Sequence, residues 1–176
     1  MLLAVLIERI SGNTYRDFMH EQVFQALGMR STGFYAFNDL PANTAWGYTP
    51  RGDALVSNIY QLPLRGGGDG GLYSNSDDMR VFWTKLFDGA LLSRESLAAM
   101  TNEEVTVFGK QKYGLGLYIS RFRQHRAYSA IGSDAGVGFS SVFVPDLDLN
   151  VNVFSNLTDG HRGIVALIEQ ELRIGT

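Results

Sequence analysis

Gly138-Phe139-Ser140-Ser141-Val142-Phe143-Val144-Pro145-Asp146-Leu147-Asp148-Leu149-Asn150-Val151-Asn152-Val153-Phe154 is the stretch that decides the fold. Two runs rich in β-branched and aromatic residues flank a Pro-Asp-Leu-Asp turn, the pattern of an antiparallel hairpin with strands over residues 138–144 and 149–154. Upstream, residues 113–122 and 126–131 carry the same strand-like composition. Downstream, residues 162–172 read as an amphipathic helix.

The first 112 residues read as helices and loops. Met1-Leu2-Leu3-Ala4-Val5-Leu6-Ile7-Glu8-Arg9-Ile10 is a helix apolar nearly all round, which suits burial against neighbours on several sides. Nothing precedes it to cap its first-turn amides, so the chain is expected to begin inside an element, with some of those neighbours outside it; the alternative is a native N-terminal helix with a frayed start. Ser11-Gly12-Asn13 breaks the helix, and Thr14 with Asp17 forms a capping box for a second one. That helix carries Tyr15, Phe18, Met19, Phe24 and Leu27 on a broad apolar stripe and ends at Gly28. Residues 30–71 lose periodicity and read as long irregular structure, of the kind that borders a site. Ser74 with Asp77 predicts a further helix with Met79, Val81, Phe82, Leu86 and Phe87 inward and Gly89 at its end, and residues 93–100 predict a short one. Helices, loops, antiparallel strands and a last helix make an α+β fold, an antiparallel sheet flanked by helices, not repeated βαβ units. Residues 1–176 are expected to form one partial domain.

Composition bounds the function. The chain has 176 residues, 45% hydrophobic and 19% charged, with a formal net charge of -3 and no cysteine. Thiol nucleophiles, disulfide scaffolds and cysteine-ligated metals are excluded. The acidic balance and only three lysines argue against nucleic acid as a partner. The longest apolar run, residues 1–7, is far below the ~20 residues of a membrane span and lacks the flanks of a signal peptide, so no membrane partner is expected.

Most single motifs are weak. Gly66-Gly67-Gly68-Asp69-Gly70-Gly71 contains a formal GxGxxG, but no strand precedes it, and a tight turn explains it better than a nucleotide phosphate. Arg51-Gly52-Asp53 is read as a chance triplet, and Asn156-Leu157-Thr158 as a sequon relevant only in a eukaryotic secretory pathway. His20, His125 and His161 are scattered, and no metal or cofactor is expected. Asp77 and Asp78 favour the positive end of a helix and are read as structural. There is no GxSxG elbow. Three residues before Lys85, Lys110 and Lys112 stand Phe82, Val107 and Gly109, so no Ser-x-x-Lys pair exists and no catalytic residue is assigned.

Five segments in order resemble one family, the serine β-lactamase and penicillin-binding-protein-like hydrolases, above all their class C and esterase-like branch. The N-terminal helix resembles the one after that family's Tyr-x-Asn segment. Ala26-Leu27-Gly28-Met29-Arg30-Ser31-Thr32-Gly33-Phe34 is similar to Pro-Leu-Gly-Met-x-x-Thr-Gly-Phe, and Ala45-Trp46-Gly47-Tyr48 to x-x-Gly-Tyr. Gly70-Gly71-Leu72-Tyr73-Ser74-Asn75-Ser76-Asp77-Asp78-Met79 resembles Gly-Gly-Leu-x-Ser-Thr-x-x-Asp-Met, and Tyr113-Gly114-Leu115-Gly116-Leu117 resembles Tyr-Gly-Leu-Gly-Trp.

The resemblance covers the family's C-terminal half and implies that part of the β-lactamase/transpeptidase-like fold, with three or four strands. It also implies acyl transfer by a serine on an amide, lactam or ester, with a small-molecule or peptide substrate. The nucleophile and Tyr-x-Asn segments lie upstream of the matched region, so the chain alone is expected to be inactive; the alternative is a non-catalytic ligand- or protein-binding derivative. Tyr73-Ser74-Asn75 imitates Tyr-x-Asn, but its surroundings match the later Gly-Gly-Leu segment. The family's basic Lys/His-Thr/Ser/Gly-Gly motif falls on Ala130-Ile131-Gly132, beside Ser133; only the glycine matches, and no nearby register supplies the basic residue. Ala130, Ile131, Gly132 and Ser133 are therefore the expected substrate-binding strand. An open sheet edge and exposed apolar helix faces are expected to cause self-association. Family members are often exported, but the compartment of this chain is not read from its sequence.

Overall fold

A computed structural model of the chain describes residues 1–102, 105–107 and 111–172. Its centre is a six-stranded antiparallel sheet of β3 (Val105–Val107), β4 (Gln111–Tyr113), β5 (Tyr118–Phe122), β6 (His125–Asp134), β7 (Val137–Val144) and β8 (Leu149–Ser155), paired in chain order. The β7–β8 hairpin turns through a 3-10 segment at Pro145–Leu147, with Asp148 in the left-handed region. Its register sets Ser141 opposite Asn152 and Val144 opposite Leu149. The α+β reading holds, with six strands where three or four were expected. β3 and β4 are three residues each, too short to show a period; β3 and all of β4 but Tyr113 lie in the part expected to be helices and loops.

Alternation divides the sheet into two faces. On one, Ile119, Tyr128 and Phe143 join Leu117 and pack against Met79, Trp83 and Leu86 of α3 (Ser76–Phe87). Trp83 is fully buried and stacks on Phe143 at 5.8 Å between centroids. Its Nε1 donates to Ser141 Oγ at 2.7 Å, and that hydroxyl donates to Asn152 Oδ1 at 2.6 Å, so the helix is bonded as well as packed to the sheet. The other face buries Phe122, Ala127 and Val144 and carries α5 (Gly160–Leu172) over β7 and β8.

Before the sheet come α1 (Leu2–Ser11) and α2 (Tyr15–Met19). Gly12, left-handed, ends α1, and Thr14 caps α2 by accepting from the Asp17 amide, as the sequence pattern predicts. No residue of α1 is buried; Leu2, Leu3 and Ile10 are exposed by 74%, 75% and 86%. α2 passes into a π-helical segment, His20–Gln25. Met19 and Phe24 are five residues apart, a spacing 3.6-fold periodicity does not align; the wider turn brings Phe24 into the cluster of Leu27, Met29 and Phe34.

Two sequence readings shift. Asn75, not Ser74, caps α3, its Oδ1 accepting from the Asp78 amide at 2.8 Å. Ser74 instead bonds Thr32 at 2.9 Å, and Asp78 accepts from the Ser31 amide and the Thr32 hydroxyl, tying the 26–34 segment to the helix. Residues 30–71 also contain a hairpin, β1 (Tyr48–Arg51) and β2 (Ala54–Ser57), with Gly52-Asp53 at its tip. The Arg-Gly-Asp triplet is thus a β-turn. α4 (Arg94–Met100), capped by Ser93, precedes β3.

Candidate functional site

β6 is ten residues long and β5 only five. β5 pairs with it from Phe122↔His125 to Tyr118↔Ser129 and stops there. On its other side β6 stays paired with β7 as far as Asp134↔Val137. Among the described residues, the β5 side of β6 is therefore unpaired beyond Ser129. Both hairpins close on two-residue turns, which makes Asp134↔Val137 and Phe122↔His125 hydrogen-bonded pairs and fixes the pleat. In that phase the backbone N–H and C=O of Ile131 and Ser133 point away from β7, onto the open edge. Ala130 faces the α3 side with Tyr128 and packs on the core there, whereas a side chain at Gly132 would meet open space. Ile131 is half exposed.

The far end of this edge is clamped from three segments. Asn58, just past β2 and 1% exposed, donates from Nδ2 to Ala135 O at 2.9 Å. Thr158, in the β8–α5 loop, accepts the Gly136 amide on Oγ1 at 2.8 Å and the Ser133 hydroxyl on its carbonyl at 2.9 Å. The Tyr48 amide donates to Asn156 O at 2.9 Å, which fastens the β1–β2 hairpin to the end of β8. Gly47 sits where these segments meet: a Cβ there would stand 2.6 Å from Gly136 O, so only glycine permits the approach. His161, 4% exposed, abuts Gly138 below the clamp, and its Nδ1 has no partner; nor does Asn58 Oδ1.

An unpaired, rigidly held strand edge beside a helix-covered sheet can accept an extended ligand through its backbone groups. The sequence matches a known family: the family described as Beta-lactamase matches residues 1–173. The chain belongs to the beta-lactamase family. Among its relatives it is 28% identical over 156 residues to PbpX of Bacillus subtilis (strain 168), named as a penicillin-binding protein, covering 89% of this chain and 38% of PbpX. A penicillin-binding protein from Bacillus halodurans superposes with a TM-score of 0.90 at 34% identity, over 97% of this chain and 53% of that one. An octameric penicillin-binding protein homologue from Pyrococcus abyssi shares the fold, with a TM-score of 0.82 at 24% identity, over 99% of this chain and 41% of its own. The chain thus spans about half, or less, of the length of these relatives.

Within this beta-lactamase-family chain the other motifs resolve one by one. In the glycine loop, the Gly67 amide donates to Gly70 O and the Gly70 amide to Gly67 O, so those N–H groups are taken up within the loop and not aimed at a phosphate, and α3 starts only at Ser76. No described serine hydroxyl is hydrogen-bonded to a lysine, tyrosine or histidine; Ser141, fully buried, serves Trp83 and Asn152. Lys112 donates to Thr106, and Lys110 lies outside the described residues. Among the described residues no cluster of acidic or histidine side chains is placed to hold a metal, and no helix is long and apolar enough to cross a membrane. Asn58 and Thr158 escaped the sequence reading. The one available signal for Thr158 was its place in a sequon; Asn58 follows a strand that was not predicted.

Proposed function

We propose that this chain is the substrate-strand half of a β-lactamase-like serine hydrolase, one partial domain, in which residues 130–133 bind substrate along the open edge of β6. Acyl transfer on an amide, lactam or ester carbonyl is the reaction: a serine attacks, the amine or alcohol leaves, and water releases the acyl group. The serine and its proton acceptor come from a segment other than these 176 residues, and the chain alone does not turn over. The observation that supports this reading is the length of β6 beyond β5 in a chain of this family. It presents Ile131 and Ser133 backbone groups to an extended ligand, as β-strand addition requires.

Ala130 supports a second reading. At the position where the family places a basic side chain, it offers only a methyl group packed against the core. A cleft without that charge suits a derivative that binds a ligand or another chain and performs no chemistry. Chromogenic cephalosporin, short-chain nitrophenyl esters and a fluorophosphonate probe test the first reading: the 176-residue chain is expected to show no turnover and no label, whereas addition of the family's nucleophile-bearing half restores labelling of one serine. Stoichiometric labelling of the chain alone would overturn it, and binding without restored labelling would favour the second reading.

Self-association belongs to the same reading. β8 pairs only with β7 among the described residues, and α1 turns Leu2, Leu3 and Ile10 to solvent. An open edge and an apolar helix face both favour pairing with another chain. A stable monomer in light scattering would refute it.

A further inference from the structure

A cavity of about 230 Å³ lies away from the sheet, lined by Arg16, Asp17 and His20, by Phe24 and Phe34, and by Tyr35 and Arg65. None of these residues belongs to β6 or its clamp. The sequence brings them together through three local devices: the first turn of α2, the π-helical segment that swings Phe24 inward, and Arg65 at the entrance to the glycine loop.

Its two arginines are fixed in the same way. Arg16 Nε donates to Gly66 O at 2.7 Å, and Arg65 Nε donates to Phe34 O at 2.7 Å. A guanidinium held through Nε keeps its terminal amino groups free, and those are donors of the fork that grips a carboxylate. Neither arginine forms an ion pair with a carboxylate of the described residues. Asp17 lines the same cavity, but its Oδ2 is turned to the Thr14 hydroxyl at 2.6 Å. Two guanidinium charges against one carboxylate leave a single positive charge to be matched. The walls are aromatic: Phe24 and Phe34 are 2% and 7% exposed, and the Tyr35 ring covers Gly33. The volume is below the ~300 Å³ at which drug-sized pockets begin, which suits one ring and its substituent.

We propose that this cavity binds a small monocarboxylate carried on a flat apolar ring. Arg16 and Arg65 hold the carboxylate and Phe24, Phe34 and Tyr35 hold the ring. The proposal stands independently of the function assigned to β6.

Sodium benzoate titrated into the 176-residue chain, followed by amide NMR shifts, tests it. Benzoate is expected to shift the amides of Gly33, Phe34, Arg65 and Gly66 and to bind at least tenfold more tightly than benzamide, its neutral counterpart. Arg16→Gln and Arg65→Gln each weaken benzoate about tenfold. Asp17→Asn, which removes the opposing charge and leaves an acceptor for Thr14, tightens it severalfold. Because Arg65 also holds the Phe34 carbonyl, Asp17→Asn keeps the test decisive if Arg65→Gln unfolds the loop. Equal affinity for benzoate and benzamide, shifts confined to another surface, tighter binding of inorganic phosphate than of benzoate, or no response to Asp17→Asn would each overturn the proposal.

Discussion

Replacing Asn58 by aspartate tests the clamp that holds the β6 edge, because the change is nearly isosteric and alters only donors and charge. Asn58 is 1% exposed, its Nδ2 donates to Ala135 O at 2.9 Å, and its Oδ1 faces no donor. A neutral carboxyl group can still donate to that carbonyl, so at acid pH the substitution costs about 1 kcal/mol, the scale of one altered hydrogen bond. The ionised form has no donor to meet and sits against a carbonyl oxygen, so burial raises its pKa above the unfolded value of about 3.9. The sign follows: below that value both states are protonated and no further penalty applies. Above it the unfolded chain ionises while the folded one does not, and stability falls by about 1.4 kcal/mol per pH unit until the folded pKa is passed. With a rise of about three units, of the order seen for buried carboxyls, the added loss at pH 7 is about 4 kcal/mol. Urea unfolding of Asn58→Asp and of the unsubstituted chain between pH 4 and pH 7 measures the difference. Asn58→Leu, which cannot titrate, serves as the pH-independent reference. A difference flat in pH, or below about 1 kcal/mol at pH 7, would refute the buried, donor-poor environment from which the figure is worked.

Other predictions follow from the same bonds. Ser141→Ala strands the Trp83 Nε1 donor, bonded at 2.7 Å in a fully buried site, and is expected to cost about 1–3 kcal/mol by urea denaturation. Asp78→Ala removes the acceptor of both the Ser31 amide and the Thr32 hydroxyl; at about 1.5 kcal/mol or more per charged bond, it should cost about 3 kcal/mol and raise hydrogen exchange at Ser31. Burial raises the pKa of Tyr15 and of Tyr73 above 10.0. Their folded states hold the proton longer than the unfolded chain, so stability is complete below pH 10 and declines as pH climbs through the raised values. Tyr15→Phe should flatten that decline, and a thermal-denaturation series at alkaline pH with no difference between the two proteins would exclude it.

Much of the fold was legible because it is written in local pattern. The β7–β8 hairpin, the Thr14 cap and the helix ends at Gly12 and Gly89 each depend on residues within a few positions of one another. What was missed depends on distance or brevity. Asn75 displaced Ser74 as the α3 cap because Thr32, 42 residues away, takes the Ser74 hydroxyl. β1 and β2 hold four residues each, include Pro50, and draw their stability from Tyr48 bonding to Asn156, a contact no window of sequence contains. The candidate site divides likewise. The strand at Ala130, Ile131, Gly132 and Ser133 was located through motif order, whereas Asn58 and Thr158 act on it from 77 and 22 residues away, counted to Ala135 and Gly136.

The open edge itself has a cause in the sequence, at Tyr113-Gly114-Leu115-Gly116-Leu117. A β5 that began there would run beside β6 as far as Asp134 and leave no edge. Instead the Gly114 amide donates to Leu117 O at 2.9 Å, folding the chain back on itself, and the Leu115 amide donates to Met100 O at 3.0 Å, drawing it toward the end of α4. Any side chain at Gly114 would strike the carbonyls of Met100 and Asn102, the latter at 2.9 Å, so the departure needs glycine at that position. β5 therefore starts at Tyr118, opposite Ser129, and the backbone groups of Ile131 and Ser133 are left without a neighbouring strand. The Tyr-Gly-Leu-Gly pattern, which carries no reactive group, ends one strand early and so leaves open the edge of β6 on which the proposed function rests.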